Sequence, residues 1–304
     1  MVENDLQDNI EVKAEAAPEK ERKRIGIGYI FLSFIPFAAI MAVQSAAVIP
    51  GVILAMVDLS KNGQDFDLSL LMKVFNEKYG IFCYLGYCAV AIGAFLPWYY
   101  NAFVKKDPKI SYKKALGLKP VILTLAAMIC TYFTVNGVFT FAFKIFPGAM
   151  KKYAELMEMS SLGSNMWITV VYGILLGPIA EELCFRGLVY KYLEKAKLHF
   201  MFVIFIQAVL FGVMHSNLIQ GIYASALGML LGYLRYKYKT VLITIGAHML
   251  FNFLGTIVAI KTAEAGFTDE MDMILGVVFI FFSAGVIFLI AKDKRTCYMQ
   301  EEAA

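Results

Sequence analysis

The sequence predicts an all-α polytopic membrane protein of about eight transmembrane helices, with both termini cytoplasmic. Three observations lead there. The 304 residues are 60% hydrophobic and only 17% charged, against about 45–50% apolar and about 25% charged in soluble domains, and the mean hydropathy is +0.65. The apolar residues gather into runs close to the roughly 20 that a helix needs to cross a bilayer. The charges between those runs alternate in kind from one loop to the next.

Residues 1–24 are polar and end in a charged run from Glu19 to Arg24, so a disordered cytoplasmic tail is expected. A cleaved signal peptide is the rival. The apolar stretch that follows, 25–57, is far longer than a signal h-region of roughly 7–15 residues, which favours a retained first span. Further stretches lie at 79–104, 121–146, 166–192, 200–214, 218–236, 241–260 and 273–291. The first is long and the fifth short, as tilt, a kink or re-entrance would require. Three helices thus occupy 25–160, a second helical unit occupies 161–292, and 293–304 forms a second cytoplasmic tail.

The loops test this count. Arg22, Lys23 and Arg24 precede the first span; Lys105, Lys106, Lys109, Lys113, Lys114 and Lys119 follow the second. Lys191, Lys195 and Lys197 follow the fourth, Arg235, Lys237 and Lys239 the sixth, and Lys292, Lys294 and Arg295 the eighth. The intervening loops carry Asp58, Asp65 and Asp67, then Glu155 and Glu158, then Glu264, Asp269, Glu270 and Asp272. Lysine and arginine mark the cytoplasmic side, so the chain should be a multi-pass protein of the cell membrane. The net charge of +4 is dispersed over short loops and offers no continuous basic face for nucleic acid. The expected partners are the lipid bilayer and a peptide or membrane-protein substrate. The cysteines Cys83, Cys88, Cys130, Cys184 and Cys297 contain no C-x-x-C pair and suit small buried side chains better than a disulfide framework.

Ionisable groups inside a membrane span cost about 2.5–3.5 kcal/mol each on insertion scales, so they are functional suspects. Here they are Glu181, Glu182 and Arg186 in the fourth span, His215 at the end of the fifth, and His248 with Asn252 in the seventh. Pro178 should kink the fourth helix and free the carbonyl of Ile174. Glu182 and Arg186, four apart, share a face and can pair; Glu181 is rotated by roughly 100° toward a different environment. His248 and Asn252 also share a face. A glutamate and a histidine could polarise water while the second histidine and the amide donate to an oxyanion. Alternatively, Glu181, His215 and His248 could hold zinc with an open water position. Taken singly, each set has a plain structural explanation, as a helix-locking ion pair or as hydrogen-bond glue. At about 1.5 Å per residue, His248 should lie roughly 10 Å, Glu181 roughly 16 Å and His215 roughly 22 Å from the cytoplasmic ends, so helix four must bend or tilt to unite them. His199 borders a loop and has no assigned role. Gly221, Ala224, Ser225, Gly228 and Gly232 in the sixth span form a small-residue packing face. No internal repeat points to a transporter.

These residues resemble a known family. E-E-x-x-x-R at Glu181, Glu182 and Arg186, F-x-x-x-H at Phe211 and His215, and H-x-x-x-N at His248 and Asn252 match, in order, the three motifs of the CAAX-protease and bacteriocin-processing family (CPBP, or Abi). The stretch from Ala226 to Arg235 is also similar, and the resemblance covers about residues 165–260. It implies a catalytic core at 161–292 like that of the type II CAAX prenyl endopeptidases, eight-helix proteins that remove the last three residues of prenylated substrates. Carried over by position, Glu181 and His215 would activate water, His248 and Asn252 would stabilise the oxyanion, and Glu182 with Arg186 would support Glu181. The expected activity is hydrolysis of a peptide bond in a membrane-associated substrate, prenylated or bacteriocin-related. Members are usually labelled metalloproteases, and a metal-independent glutamate route has been proposed for the prenyl-protease branch, so zinc and glutamate mechanisms both stand. The alternatives are a noncatalytic bacteriocin-immunity or scaffold protein and a proton-coupled transporter.

Overall fold

The computed structural model describes residues 25–63, 65–107, 110–159 and 166–293. The expected tails lie outside them, save Asp293. All eight apolar stretches are helical. We label the helices α1 (Ile27–Lys61), α2 (Leu68–Val104), α3 (Leu118–Ile145), α4 (Pro147–Met159), α5 (Met166–Lys195), α6 (Phe200–Met214), α7 (Leu218–Tyr238), α8 (Val241–Glu264) and α9 (Asp269–Lys292). Six of them, α1, α2, α3, α5, α8 and α9, are long and apolar enough to cross a membrane. The 15 residues of α6 and the charged last turn of α7, with Arg235 and Lys237, set those two apart. The chain is an all-α, multi-pass membrane protein.

Boundaries differ from expectation where polar residues extend an apolar helix. The second helix starts at Leu68, where the side chain of Asp67 accepts from the Leu70 N–H and caps it, and not at 79. Two helices among the described residues were not anticipated: the single turn Tyr112–Ala115 and α4. α4 is too short and too polar to register against a bilayer-length ruler, yet it buries Met150. Its Tyr153 and Tyr223 of α7 both meet the Phe139 ring of α3 edge to face, with centroids 5.8 and 5.3 Å away.

Burial identifies the centre of the molecule. In the apolar window of α5, 56% of residues are buried, against 11% in α9, so α5 is the axis and α9 a peripheral helix. Every residue from Leu183 to Val189 is buried. Around α5 pack Tyr87, Ala91 and Phe95 of α2 and Phe211 and Met214 of α6. A second core joins α3, α7, α8 and Ile290 of α9. Glycine permits the closest crossings. A Cβ on Gly137 would fall 2.6 Å from Gly276 Cα where α3 meets α9, and one on Gly212 would fall 2.4 Å from the Gly221 carbonyl oxygen where α6 meets α7. The small face expected on the sixth span is therefore a helix crossing.

Candidate active site

The site begins with the backbone of α5. Thr169–Leu176 and Leu183–Val189 are π-helical and flank an α-helical turn, Gly177–Glu182. In the wider register the Gly177 N–H bonds the carbonyl five residues back, at Tyr172. The next donor in that register would be residue 178, but proline has none. The carbonyl left over belongs to Gly173, and the Asn252 side chain of α8 captures it, Nδ2 donating at 2.7 Å. This corrects one part of the sequence expectation: the helix is wide ahead of Pro178, and the carbonyl that Asn252 meets is that of Gly173, where Ile174 was expected to be freed. π-turns of this kind recur at functional sites.

Glu182 sits at the sealed end of the cluster, fully buried. Its Oε1 accepts from Arg186 Nη1 at 2.7 Å and from His248 Nδ1 at 3.0 Å. Arg186, equally buried, donates a second bond to the Gly228 carbonyl of α7 at 3.3 Å and lies 4.4 Å over the Phe211 ring. Removing one partner of such a pair strands a charge. The carboxylate also orients His248: with Nδ1–H committed to Glu182, Nε2 points the other way.

Nε2 of His248 faces Glu181 Oε2 at 3.8 Å. That is too long for a hydrogen bond, so the two groups confront one another without sharing a proton. The Glu181 side chain keeps 14% exposure while Glu182 keeps none. His215 caps α6, and its Nδ1 lies 2.9 Å from the Phe211 carbonyl oxygen. A carbonyl can only accept, so Nδ1 carries the proton and Nε2 of the neutral ring holds a lone pair. Phe211 gathers the set. His215 and His248 both meet its ring edge to face, at centroid distances of 5.1 and 5.6 Å. Glu182, Arg186 and His248 are thus bonded directly, Glu181 faces His248, Asn252 is tied to the same helix at Gly173, and His215 joins them through Phe211.

Three contributors were missed or misread. Phe211 was in a motif without a role. Gln207, an amide in an otherwise apolar helix, gave a signal that was overlooked; it is buried and donates to the Ile204 and Gly228 carbonyls at 2.8 and 2.9 Å. Arg235 was counted as a cytoplasmic loop charge. Instead it is 3% exposed and its Nε donates to the Arg186 carbonyl at 3.1 Å, so it braces the backbone of the central ion pair. His199 serves as the N-cap of α6.

Residues 163–254 match the family described as type II CAAX prenyl endopeptidase, Rce1-like. The core is similar to CAAX proteases. The match holds Glu181, Glu182, Arg186, Phe211, His215, His248 and Asn252, so the resemblance read from the motifs is borne out there. A stretch of 116 residues is also 26% identical to "Putative membrane peptidase YdiL" of Bacillus subtilis, covering 37% of this chain and 47% of that protein. The chain therefore aligns with about half the length of this curated relative. No solved structure matches significantly.

The zinc alternative needs three converging donors. Among the described residues, no three His, Cys, Asp or Glu side chains are grouped to hold a metal ion. Glu181, His215 and His248 are not among any such group as arranged.

Proposed function

We propose that the chain is an intramembrane endopeptidase in which Glu181 is the general base. The observation that carries this is the division of labour between adjacent carboxylates: Glu182 is sealed from water with its Oε1 bonded by Arg186 and His248, while Glu181 stays partly exposed, is free of hydrogen bonds among the described residues and faces His248 Nε2 at 3.8 Å. A base needs an uncommitted lone pair within reach of water, and Glu181 has one.

In the proposed cycle, water lies between Glu181 and the lone pair of His215 Nε2. Glu181 takes a water proton as the water oxygen bonds to the scissile carbonyl carbon. Charge moves onto the carbonyl oxygen, where His248 as an imidazolium donates from Nε2 and Asn252 donates the amide proton not used on Gly173. With Glu182 and Arg186 already paired, an imidazolium at His248 balances the remaining charge of Glu181. The C–N bond then breaks, and the proton held by Glu181 passes to the leaving nitrogen. Glu182 and Arg186 are positioning residues. The substrate class favoured by the resemblance is a membrane-anchored peptide, prenylated or bacteriocin-related, cut on the cytoplasmic side of the cell membrane.

The test is cleavage of membrane-anchored peptides, a prenylated peptide among them, by purified protein in detergent, with metal content measured on the same sample. Cleavage by the wild type and its loss in Glu181→Gln support the proposal. Stoichiometric zinc that disappears with His215→Ala, together with chelator-sensitive cleavage, would replace the glutamate route by a metal one. A Glu181→Gln protein with full biological effect and no cleavage by the wild type would favour the immunity or scaffold reading.

A further inference from the structure

One face of α6 carries three polar or aromatic side chains toward the site. Gln207, Phe211 and His215 follow one another at intervals of four, so they stack along the helix. Phe211 lies under the Arg186 guanidinium at 4.4 Å, and His215 meets the same ring edge to face. Gln207 is fully buried, and the reaction proposed above gives it no part. Two carbonyls face one end of its amide, Ile204 at 2.8 Å and Gly228 of α7 at 2.9 Å. Carbonyls only accept, so that end is the NH2 group and it donates to both. The other end, Oε1, is buried with no partner among the described residues. A methionine would fill the same length of space without orphaning an acceptor. Packing alone therefore favours an apolar residue here, and the donated bonds are what the amide adds.

The bond to Gly228 leads into the site. The same carbonyl accepts from Arg186 Nη2 at 3.3 Å, while Arg186 Nη1 donates to Glu182 Oε1 at 2.7 Å. Gln207 thus takes the shorter share of Gly228 and leaves the guanidinium its shorter bond to Glu182. Glu182 Oε1 in turn accepts from His248 Nδ1 at 3.0 Å. An unbroken run of hydrogen bonds therefore links the amide of α6 to the imidazole of α8. Bare backbone on α7 makes the reach possible: a Cβ on Gly228 would lie 3.1 Å from Ala208 Cα, and one on Gly232 would lie 2.5 Å from Gln207 Nε2. We propose that Gln207 is a positioning residue for the cleavage reaction. By holding the Gly228 carbonyl it fixes the Arg186 fork, and through Glu182 it sets the ring whose Nε2 serves the oxyanion. This rests on the endopeptidase reading above.

The experiment compares wild type, Glu181→Gln, Gln207→Met and Gly232→Ala for kcat and KM on one cleaved membrane-anchored peptide, well below each unfolding midpoint in detergent. Gln207→Met keeps the length of the side chain and deletes its donors. Gly232→Ala keeps the glutamine and pushes its amide off Gly228, so it decides the matter should the methionine variant fail to fold. The expected result in both is a kcat lower by about tenfold to a hundredfold, the scale of a small misplacement of a reacting group, with KM within about twofold. A side chain that only packs would lower the midpoint and leave kcat alone. Wild-type kcat in folded Gln207→Met, or in Gly232→Ala where the methionine variant does not fold, overturns this inference. Beside an inactive Glu181→Gln, that outcome leaves the endopeptidase reading standing. An active Glu181→Gln, or a wild type that cleaves no peptide tested, overturns both.

Discussion

Glu181 and Glu182 are neighbours on one helix turn, yet they occupy opposite kinds of surroundings. Around Glu182 the protein is sealed: carboxylate, guanidinium and imidazole interlock at 2.7 and 3.0 Å, and Arg186 reaches on to Gly228 and the Phe211 ring. Around Glu181 it is open: partial exposure, no hydrogen bond among the described residues and a 3.8 Å gap to His248. Low dielectric strengthens a satisfied network and makes an unsatisfied group costly. The sealed side is not fully satisfied, since Glu182 Oε2 and Arg186 Nε are buried without a partner among the described residues, but its interlocked charges fix one geometry; the open side leaves the Glu181 carboxylate accessible. The two sides should respond to mutation in different observables.

Breaking the sealed side should cost the most stability. Arg186→Met strands Glu182, and a loss of about 3–5 kcal/mol is expected from detergent unfolding curves. Replacing both partners, Glu182→Leu with Arg186→Met, should restore most of that stability without restoring activity. If the double variant is as unstable as the single one, the sealed side is not acting as a charge pair. Next comes the crossing that supports it. Gly212→Val drives a side chain into Ser225 and Gly221 of α7, and overpacking of this kind costs about 1–3 kcal/mol. Unchanged stability would show that α6 and α7 can separate freely.

Asn252 lies on the boundary and should show a mixed effect. Asn252→Ala loses its bond to Gly173, worth about 1 kcal/mol of stability, and should lower kcat by about a hundredfold if its second amide proton serves the oxyanion. A stability loss with unchanged kcat would assign it to the sealed side alone. The smallest effect is expected far from both. Lys144 and Glu270 pair on the exposed surface at 3.2 Å, where ion pairs contribute little, so Lys144→Ala should leave the melting temperature and cleavage rate as they are.

Much of this was legible in the sequence. Polar residues in membrane spans announced themselves against an apolar background, and the four-residue spacing of Glu182 with Arg186 encoded the ion pair directly. The separate environment of Glu181 followed from helical rotation. What was not legible depended on register and on partners distant in sequence. Whether Pro178 kinks a helix or rides on a π-turn depends on how residues 169–176 hydrogen-bond, and the two registers differ by one carbonyl, Ile174 or Gly173. The depth mismatch between His248 and Glu181 was an artefact of counting every residue as α-helical from assumed ends; the π-helical stretches and longer helices bring them to 3.8 Å. Arg235 was misread because a basic residue at a helix end is normally a topology signal, and only the fold reveals the Arg186 carbonyl beside it. α4 escaped because its burial is local and amphipathic.

The most direct test sets the neighbours side by side. Glu181→Gln and Glu182→Gln, purified in the same detergent, are compared with wild type for unfolding midpoint and for kcat on one cleaved membrane-anchored peptide. The account predicts that Glu181→Gln keeps the wild-type midpoint and loses cleavage by a factor of about 10²–10⁴, while Glu182→Gln lowers the midpoint. A Glu181→Gln protein that cleaves at the wild-type rate, or that unfolds as readily as Glu182→Gln, would contradict it.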